Sequence, residues 1–256
     1  MKSPMEQFSI EPLMFNGHKV LHAQVGHHEF FLTNQALWMC VVVGVASLFL
    51  TLAAARPQLV PGRMQSMAEL CYEFVANMIR SAAGEDGMIF FPFVFTIFVF
   101  VLFSNFFGLL PGAFTVTSQI AVTFALACLV IATVIVTGFV VHGLGFLKLF
   151  VPHAPWYLLI LLVPIELISF FTRPISLSVR LFANMLAGHT MLKVFASFVI
   201  ALGTAGGIWA ALSIAPMFLI IAISALELLV AFLQAYVFAI LTCIYLNEAL
   251  HLHDHH

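Results

Sequence analysis

The order of apolar and polar positions divides the chain into runs of unequal length. Residues 1–35 are polar and mixed in charge, with Glu6, Glu11 and Glu29 against Lys2 and Lys19. Ala36–Ala55 then runs for 20 residues without a charge, about one hydrocarbon thickness as a helix. Its end, Leu52-Ala53-Ala54-Ala55, has small residues like a signal cleavage site. The run is too long and starts too late for a signal peptide, so it predicts a true span. Arg56-Pro57 closes it. In Met64–Ala83 the pattern changes. Met64, Met67, Leu70, Cys71, Phe74, Val75 and Met78 alternate with Glu69, Glu73, Asn77 and Arg80 at a helical period. That predicts an amphipathic helix lying at the membrane interface. Gly84-Glu85-Asp86-Gly87 breaks it, and Met88–Leu110 is a second span, turned at Pro111-Gly112. Ile120–Leu147 is a third, and no Asp, Glu, Lys or Arg lies between Asp86 and Lys148.

Trp156–Leu202 and Ile208–Leu246 are apolar but longer than one perpendicular crossing. Forty-seven residues of helix extend about 70 Å, against roughly 30 Å of hydrocarbon. No tight turn signal divides either run midway, although Pro164, Pro174 and Pro216 are places to kink. The reading is a hairpin of two long, strongly tilted helices joined at Gly203–Gly207. The fold class is therefore all-α and polytopic, with about five membrane-crossing helices plus one interfacial helix. Residues 1–35 form a polar N-terminal segment, 36–250 a single membrane domain, and 251–256 a His-rich tail. No internal repeat is visible.

Composition agrees with the pattern. The chain is 63% hydrophobic and 8% charged, with a mean hydropathy of +1.12. A sphere of this size cannot hide that much apolar surface from water, which excludes a soluble globular enzyme and a disordered chain. The formal net charge of −2 excludes a nucleic-acid binder, which needs a basic face. Cys40, Cys71, Cys128 and Cys243 make no C-x-x-C pair and read as small buried hydrophobes, not a disulfide framework or zinc site. The tail His251-Leu252-His253-Asp254-His255-His256 matches no zinc motif. His142 and His153 flank the turn at Lys148 and read as structural or interfacial, and no cofactor or metal is expected. Arg56, Arg63 and Arg80 cluster after the first span and Lys148 follows the third. Five crossings then put the N-terminus outside and the C-terminus inside.

Within the two long runs the charged residues are Glu166, Arg173, Arg180, Lys193 and Glu227. An ionisable group at membrane depth costs roughly 2.5–3.5 kcal/mol on insertion scales, so such residues are kept for function or paired. Arg180 sits among Leu177, Val179, Leu181 and Phe182, about 20 residues from either end of its run. Its guanidinium cannot deprotonate and reaches no headgroup easily. At 3.6 residues per turn, Glu166, Arg173, Ser176, Arg180 and Asn184 share one face, a polar stripe that lines water or faces a partner carboxylate. Glu227 shares a face with Gln234 and Tyr245, and a carboxyl alone in apolar surroundings favours its neutral form. His189, nine residues past Arg180, points away from the Arg180 face. The hairpin brings His189 and Glu227 within reach as a proton path.

The segment Ile175-Ser176-Leu177-Ser178-Val179-Arg180-Leu181-Phe182-Ala183-Asn184-Met185-Leu186-Ala187-Gly188-His189 resembles the signature of subunit a of F-type ATP synthases. Phe103-Ser104-Asn105-Phe106-Phe107-Gly108-Leu109-Leu110-Pro111 and Leu233-Gln234-Ala235-Tyr236-Val237-Phe238 are similar to further stretches of that family, so the resemblance covers about Phe8 to Leu250. It implies a stator subunit, not an enzyme on its own, in the membrane sector of a rotary proton-transporting ATP synthase. Two half-channels would open against a ring of c subunits, with b-type peripheral-stalk subunits and membrane lipid as the other neighbours. Arg180 matches the family's essential arginine, which faces the ring carboxylate. Asn184 and Gln234 match polar residues near it, and His189 and Glu227 match the pair lining the inlet half-channel. Many bacterial members carry the acid and the histidine the other way round. Here they are exchanged, as in mitochondrial members and their bacterial relatives. Asn105, Ser176, Glu166 and Tyr245 complete the implied proton path. The implied location is a bacterial plasma membrane, with the mitochondrial inner membrane as the alternative. A proton-coupled secondary transporter, with Arg180 binding an anionic substrate, is the alternative function. It would need a midplane cavity with broken helices and, usually, repeat symmetry.

Overall fold

The computed structural model describes residues 14–15, 18–19, 23–25, 28–30, 33–55, 58, 60–110, 113–143, 145–146, 156–207 and 212–250. Arg56, the Pro111-Gly112 turn, Lys148, His153 and the tail at 251–256 lie outside them. Two short antiparallel pairs come first: β1 (Met14–Phe15) with β2 (His18–Lys19), and β3 (Ala23–Val25) with β4 (His28–Phe30). Among the described residues, the elements that follow are all helical, and five of these helices are long and apolar enough to cross a membrane.

Helix α1 (Asn34–Ala54) starts where Thr33 caps it, its hydroxyl accepting the Ala36 N–H at 3.2 Å. Helix α2 (Arg63–Ala83) is the amphipathic one. It buries Val75, Ala76, Met78, Ile79 and Ala83 and stops at Gly84, whose φ of 68° suits a glycine. A 3₁₀ turn, Asp86–Phe90, then leads into α3 (Phe91–Gly108). The second span therefore becomes α-helical three residues later than its apolar pattern does. Pro92 sits in the first turn of α3, where its missing N–H has no partner to lose. Helix α4 (Ile120–His142) ends before the Leu147 that the pattern allows, because Gly143 turns the chain at φ 57°.

The two long runs are each one helix, α5 (Trp156–Ala205) and α6 (Ile214–Leu250). At 50 residues α5 is about 75 Å long, so an apolar bilayer accommodates it only well away from the normal. Pro164 and Pro174 lie inside α5, which continues through both. Pro216, a place to kink the second run, does not interrupt α6. It falls in the first turn, where proline is tolerated. The turn between the helices starts later than expected, with Gly206 and Gly207 at φ 70° and 61°.

The contacts gather into two compact units, each built from pieces of several helices. One comprises 1–48, 100–119 and 182–234. Its interior is lined by Val101, Leu102, Met185 and Ala231 together with a set of buried polar side chains. The other comprises 49–99, 120–181 and 235–256. There Phe74 of α2 packs on Phe98 of α3 and Tyr236 of α6, with ring centroids 5.6 and 5.7 Å apart. Thr123 of α4 and Ser178 of α5 share a hydrogen bond at 3.2 Å. Of the four cysteines, Cys243 is buried as its type suggests, whereas Cys40 and Cys128 are exposed on outward faces and Cys71 is half-buried. In a bilayer an outward apolar face needs no burial, so a small hydrophobe is at home on either side.

In the second unit Gly138 marks a close approach. A Cβ there would run into the ring of the fully buried Phe146, which also packs on Phe139 at 5.2 Å. Gly138→Val should therefore destabilise this unit by about 1–3 kcal/mol through overpacking. Thermal unfolding of the detergent-purified protein would show a lower midpoint, and adding Phe146→Leu should restore part of the loss.

Candidate functional site

Two polar clusters sit in the hydrophobic helices, one in each unit. In the unit containing 182–234, Glu227 is 3% exposed and neither carboxyl oxygen has a hydrogen-bond partner among the described residues. His189 Nδ1 lies 3.7 Å from Glu227 Oε1, beyond a direct hydrogen bond but within reach of one small rotation or one water. The approach is possible because position 188 is a glycine. A Cβ there would strike the Glu227 carboxyl group. The other imidazole nitrogen, Nε2, is 3.1 Å from Thr115 Oγ1.

The segment between α3 and α4 and the end of α3 hold this pair in place. Asn105 is fully buried. Its amide donates to the carbonyl of Ala231, one turn beyond Glu227 on α6, at 3.1 Å. Its oxygen accepts from Thr117 Oγ1 at 2.9 Å. Ser118 turns its hydroxyl back onto the carbonyl of Thr115. Each of these groups would be costly in hydrocarbon without a partner. Further along, Asn184 Nδ2 donates to Gln234 Oε1 at 3.0 Å, joining α5 to α6. Gln234 is buried, while Asn184 keeps an exposed edge.

In the other unit Arg173 forms an ion pair with Glu248 near the end of α6. Its guanidinium also stacks over the ring of Tyr245, 5.1 Å from the centroid. Arg180, two turns along α5, is different. It is exposed and has no ion pair or hydrogen bond among the described residues. Ile175 and Val179 beside it are exposed too, so a fixed cation stands on an apolar outward face. Ser176 is also exposed, and Glu166 is half-buried.

The structure thus joins His189 with Glu227, as the hairpin suggested, joins Asn184 with Gln234, and gives Asn105 a role in fixing α6. The stripe drawn through Arg173 and Arg180 divides: Arg173 has an ion partner in Glu248, and Arg180 has none among the described residues. The sequence reading missed Glu248 because it ended the last run at Leu246, and the helix continues to Leu250. It also passed over Thr115 and Thr117, which lie in an uncharged connection. The signal there was three hydroxyl residues, Thr115, Thr117 and Ser118, in a short link between two spans. Among the described residues no cluster of His, Cys, Asp and Glu has the makings of a metal site.

Comparison with known proteins points the same way as this geometry. A family model described as ATP synthase A chain matches residues 36–247. The chain is 59% identical to a protein of Mesorhizobium japonicum named ATP synthase subunit a, over 97% of this chain and 96% of that protein. It is 58% identical to the subunit of that name in Chelativorans, over 97% of each chain. For the Agrobacterium fabrum protein of the same name the identity is 54%, again over 97% of each. With its long apolar helices the chain is a multi-pass membrane protein, and it is a member of the ATP synthase A chain family.

Proposed function

We propose that this chain is the stator subunit through which protons cross the membrane sector of a rotary ATP synthase. It would open two half-channels against a ring of small c subunits and be held by b-type subunits of the peripheral stalk. The relatives named above come from bacteria, and we assign it to a bacterial plasma membrane, N-terminus outside. The observation that carries the reading is Arg180, a permanent cation on an exposed apolar face with no ion pair or hydrogen bond among the described residues.

Such a cation calls for an anion from outside the chain. A carboxyl group carried on a ring through lipid is neutral there, because an ionised carboxylate in hydrocarbon is costly. Opposite a fixed guanidinium within ~4–6 Å the charged form is favoured, so the proton leaves. The guanidinium cannot itself give up a proton. It releases the proton from the ring and also blocks a direct leak from one half-channel to the other. Across the membrane each charge is driven by about 2.3 kcal/mol per 100 mV.

His189 and Glu227 supply the inlet. A buried carboxyl group and a half-buried imidazole, a short step apart, form a pair that takes and passes a proton. Asn184 and Gln234, hydrogen-bonded to each other, offer polar stepping points in the same unit. Asn105 keeps α6 at the depth where Glu227 meets His189. Ser176, Glu166 and Tyr245 belong to the other unit, and we assign them to the outlet side.

Arg180→Ala should leave the complex assembled while ATP-driven proton pumping and ATP synthesis drop by about 100-fold or more. Arg180→Lys should fail nearly as badly, since an ammonium lacks the planar fork and loses its proton when desolvated. Synthesis near the wild-type rate in either variant, measured in inverted membrane vesicles, would remove the basis of the proposal.

Replacement of His189 or Glu227 alone should slow passive proton conductance without abolishing it, because water bridges part of a missing relay. The exchanged double variant, His189→Glu with Glu227→His, should regain part of the rate lost in the single variants. The measurement is proton flux in vesicles stripped of the soluble ATPase, and wild-type flux in both single variants would refute the relay.

A further inference from the structure

We infer that Thr115 is a positioning residue of the proton path. Its hydroxyl acts as a rotor that satisfies His189 Nε2 in each protonation state, leaving Nδ1 as the nitrogen that exchanges protons with Glu227. The inference rests on the relay reading of His189 and Glu227 and adds a residue to it.

The geometry is specific. Thr115 is 5% exposed. Its Oγ1 lies 3.1 Å from His189 Nε2 and 3.4 Å from the carbonyl oxygen of Gly108. The side chain is seated against Gly108, where a Cβ would come within 2.7 Å of Thr115 Cγ2. On the far side of the imidazole, Nδ1 faces Glu227 Oε1 at 3.7 Å. His189 is thus held between a hydroxyl and a carboxyl group, one at each nitrogen.

A hydroxyl has one hydrogen to donate and lone pairs to accept with. In one state Thr115 donates to Nε2, and the neutral imidazole carries its proton on Nδ1. In the other, the imidazole carries its proton on Nε2 and donates it to Thr115 Oγ1, while Thr115 turns its own hydrogen to the Gly108 carbonyl. Nδ1 then offers a lone pair to the Glu227 acid. When the Glu227 O–H bond breaks and an Nδ1–H bond forms, a neutral pair becomes imidazolium and carboxylate, with no proton gained or lost overall. Nε2–H still donates to Thr115 in the product. Without the hydroxyl, the cation would lose the acceptor that faces its Nε2–H on a half-buried ring, which is costly between hydrophobic helices. The second position of the rotor therefore lets His189 accept a proton from Glu227.

The test is passive proton conductance of the assembled membrane sector in vesicles stripped of the soluble ATPase. Thr115→Ser keeps the rotor and should conduct like wild type. Thr115→Val has the same shape without the hydroxyl and should conduct about tenfold less at an unchanged amount of assembled complex. In a His189→Gln background, Thr115→Val should cost nothing more. Infrared difference spectra, taken against the His189→Gln protein, should show the imidazole ring band of His189 move in the valine variant and not in the serine variant. Wild-type conductance in Thr115→Val overturns the inference. So does an equal loss in the His189→Gln background, which would mark a purely structural role. Should the valine variant fail to accumulate, Thr115→Ala replaces it with the same expectations, and failure of both while serine accumulates also counts against the rotor. The relay reading fails separately, by wild-type conductance in His189→Gln itself.

Discussion

Hydrocarbon tolerates a polar group only when another group answers it, and the arrangement of this chain follows from that requirement. Asn105 meets a helix carbonyl and a threonine hydroxyl. Asn184 meets Gln234, and Arg173 meets Glu248 and the face of Tyr245. These pairings tie helices together where apolar side chains give little preference for one neighbour over another, since lipid is as apolar as leucine. The groups left unanswered then stand out. Among the described residues the charged or titratable ones include Arg180 on an outward face and the buried carboxyl of Glu227, and both are places where a proton-carrying partner or water would be welcome.

Much of this was legible in the amino-acid sequence. The spans follow from uncharged runs, because a bilayer leaves few ways to bury twenty apolar residues. That α5 and α6 are unbroken was readable from the absence of a tight turn signal midway in either run. Pairing across helices was less legible. Periodicity put Arg173 and Arg180 on one face, and only the position of Glu248 on α6 separates them into a satisfied and an unsatisfied cation. The extent of α6 decided that, and hydropathy alone ends a helix where polarity begins, not where the backbone hydrogen bonds stop. The Thr115–Ser118 connection was the hardest to read. Its residues are unremarkable in type, and their role depends on how the chain between α3 and α4 folds inward, which no local pattern encodes.

Glycine carries a second kind of information here. Gly108 and Gly188 are places where another residue's side chain occupies the space a Cβ would need. Thr115 fills one and Glu227 the other, so the two glycines set the distances on either side of His189. Small residues at helix contacts in membranes usually serve close backbone approach. Here they also make room for the chemistry.

The continuity of α5 limits how the gene for such a protein can change. Arg180 and His189 fall on opposite faces of one helix because nine residues turn it by roughly two and a half revolutions. Substitutions along the helix leave that phase intact, but inserting or deleting one codon between them would swing the two side chains about 100° relative to each other. No loop in the middle of α5 exists to absorb the slip. Length in this stretch should therefore be far more constrained than composition, and relatives should differ here by replacement and place their gaps in the connections.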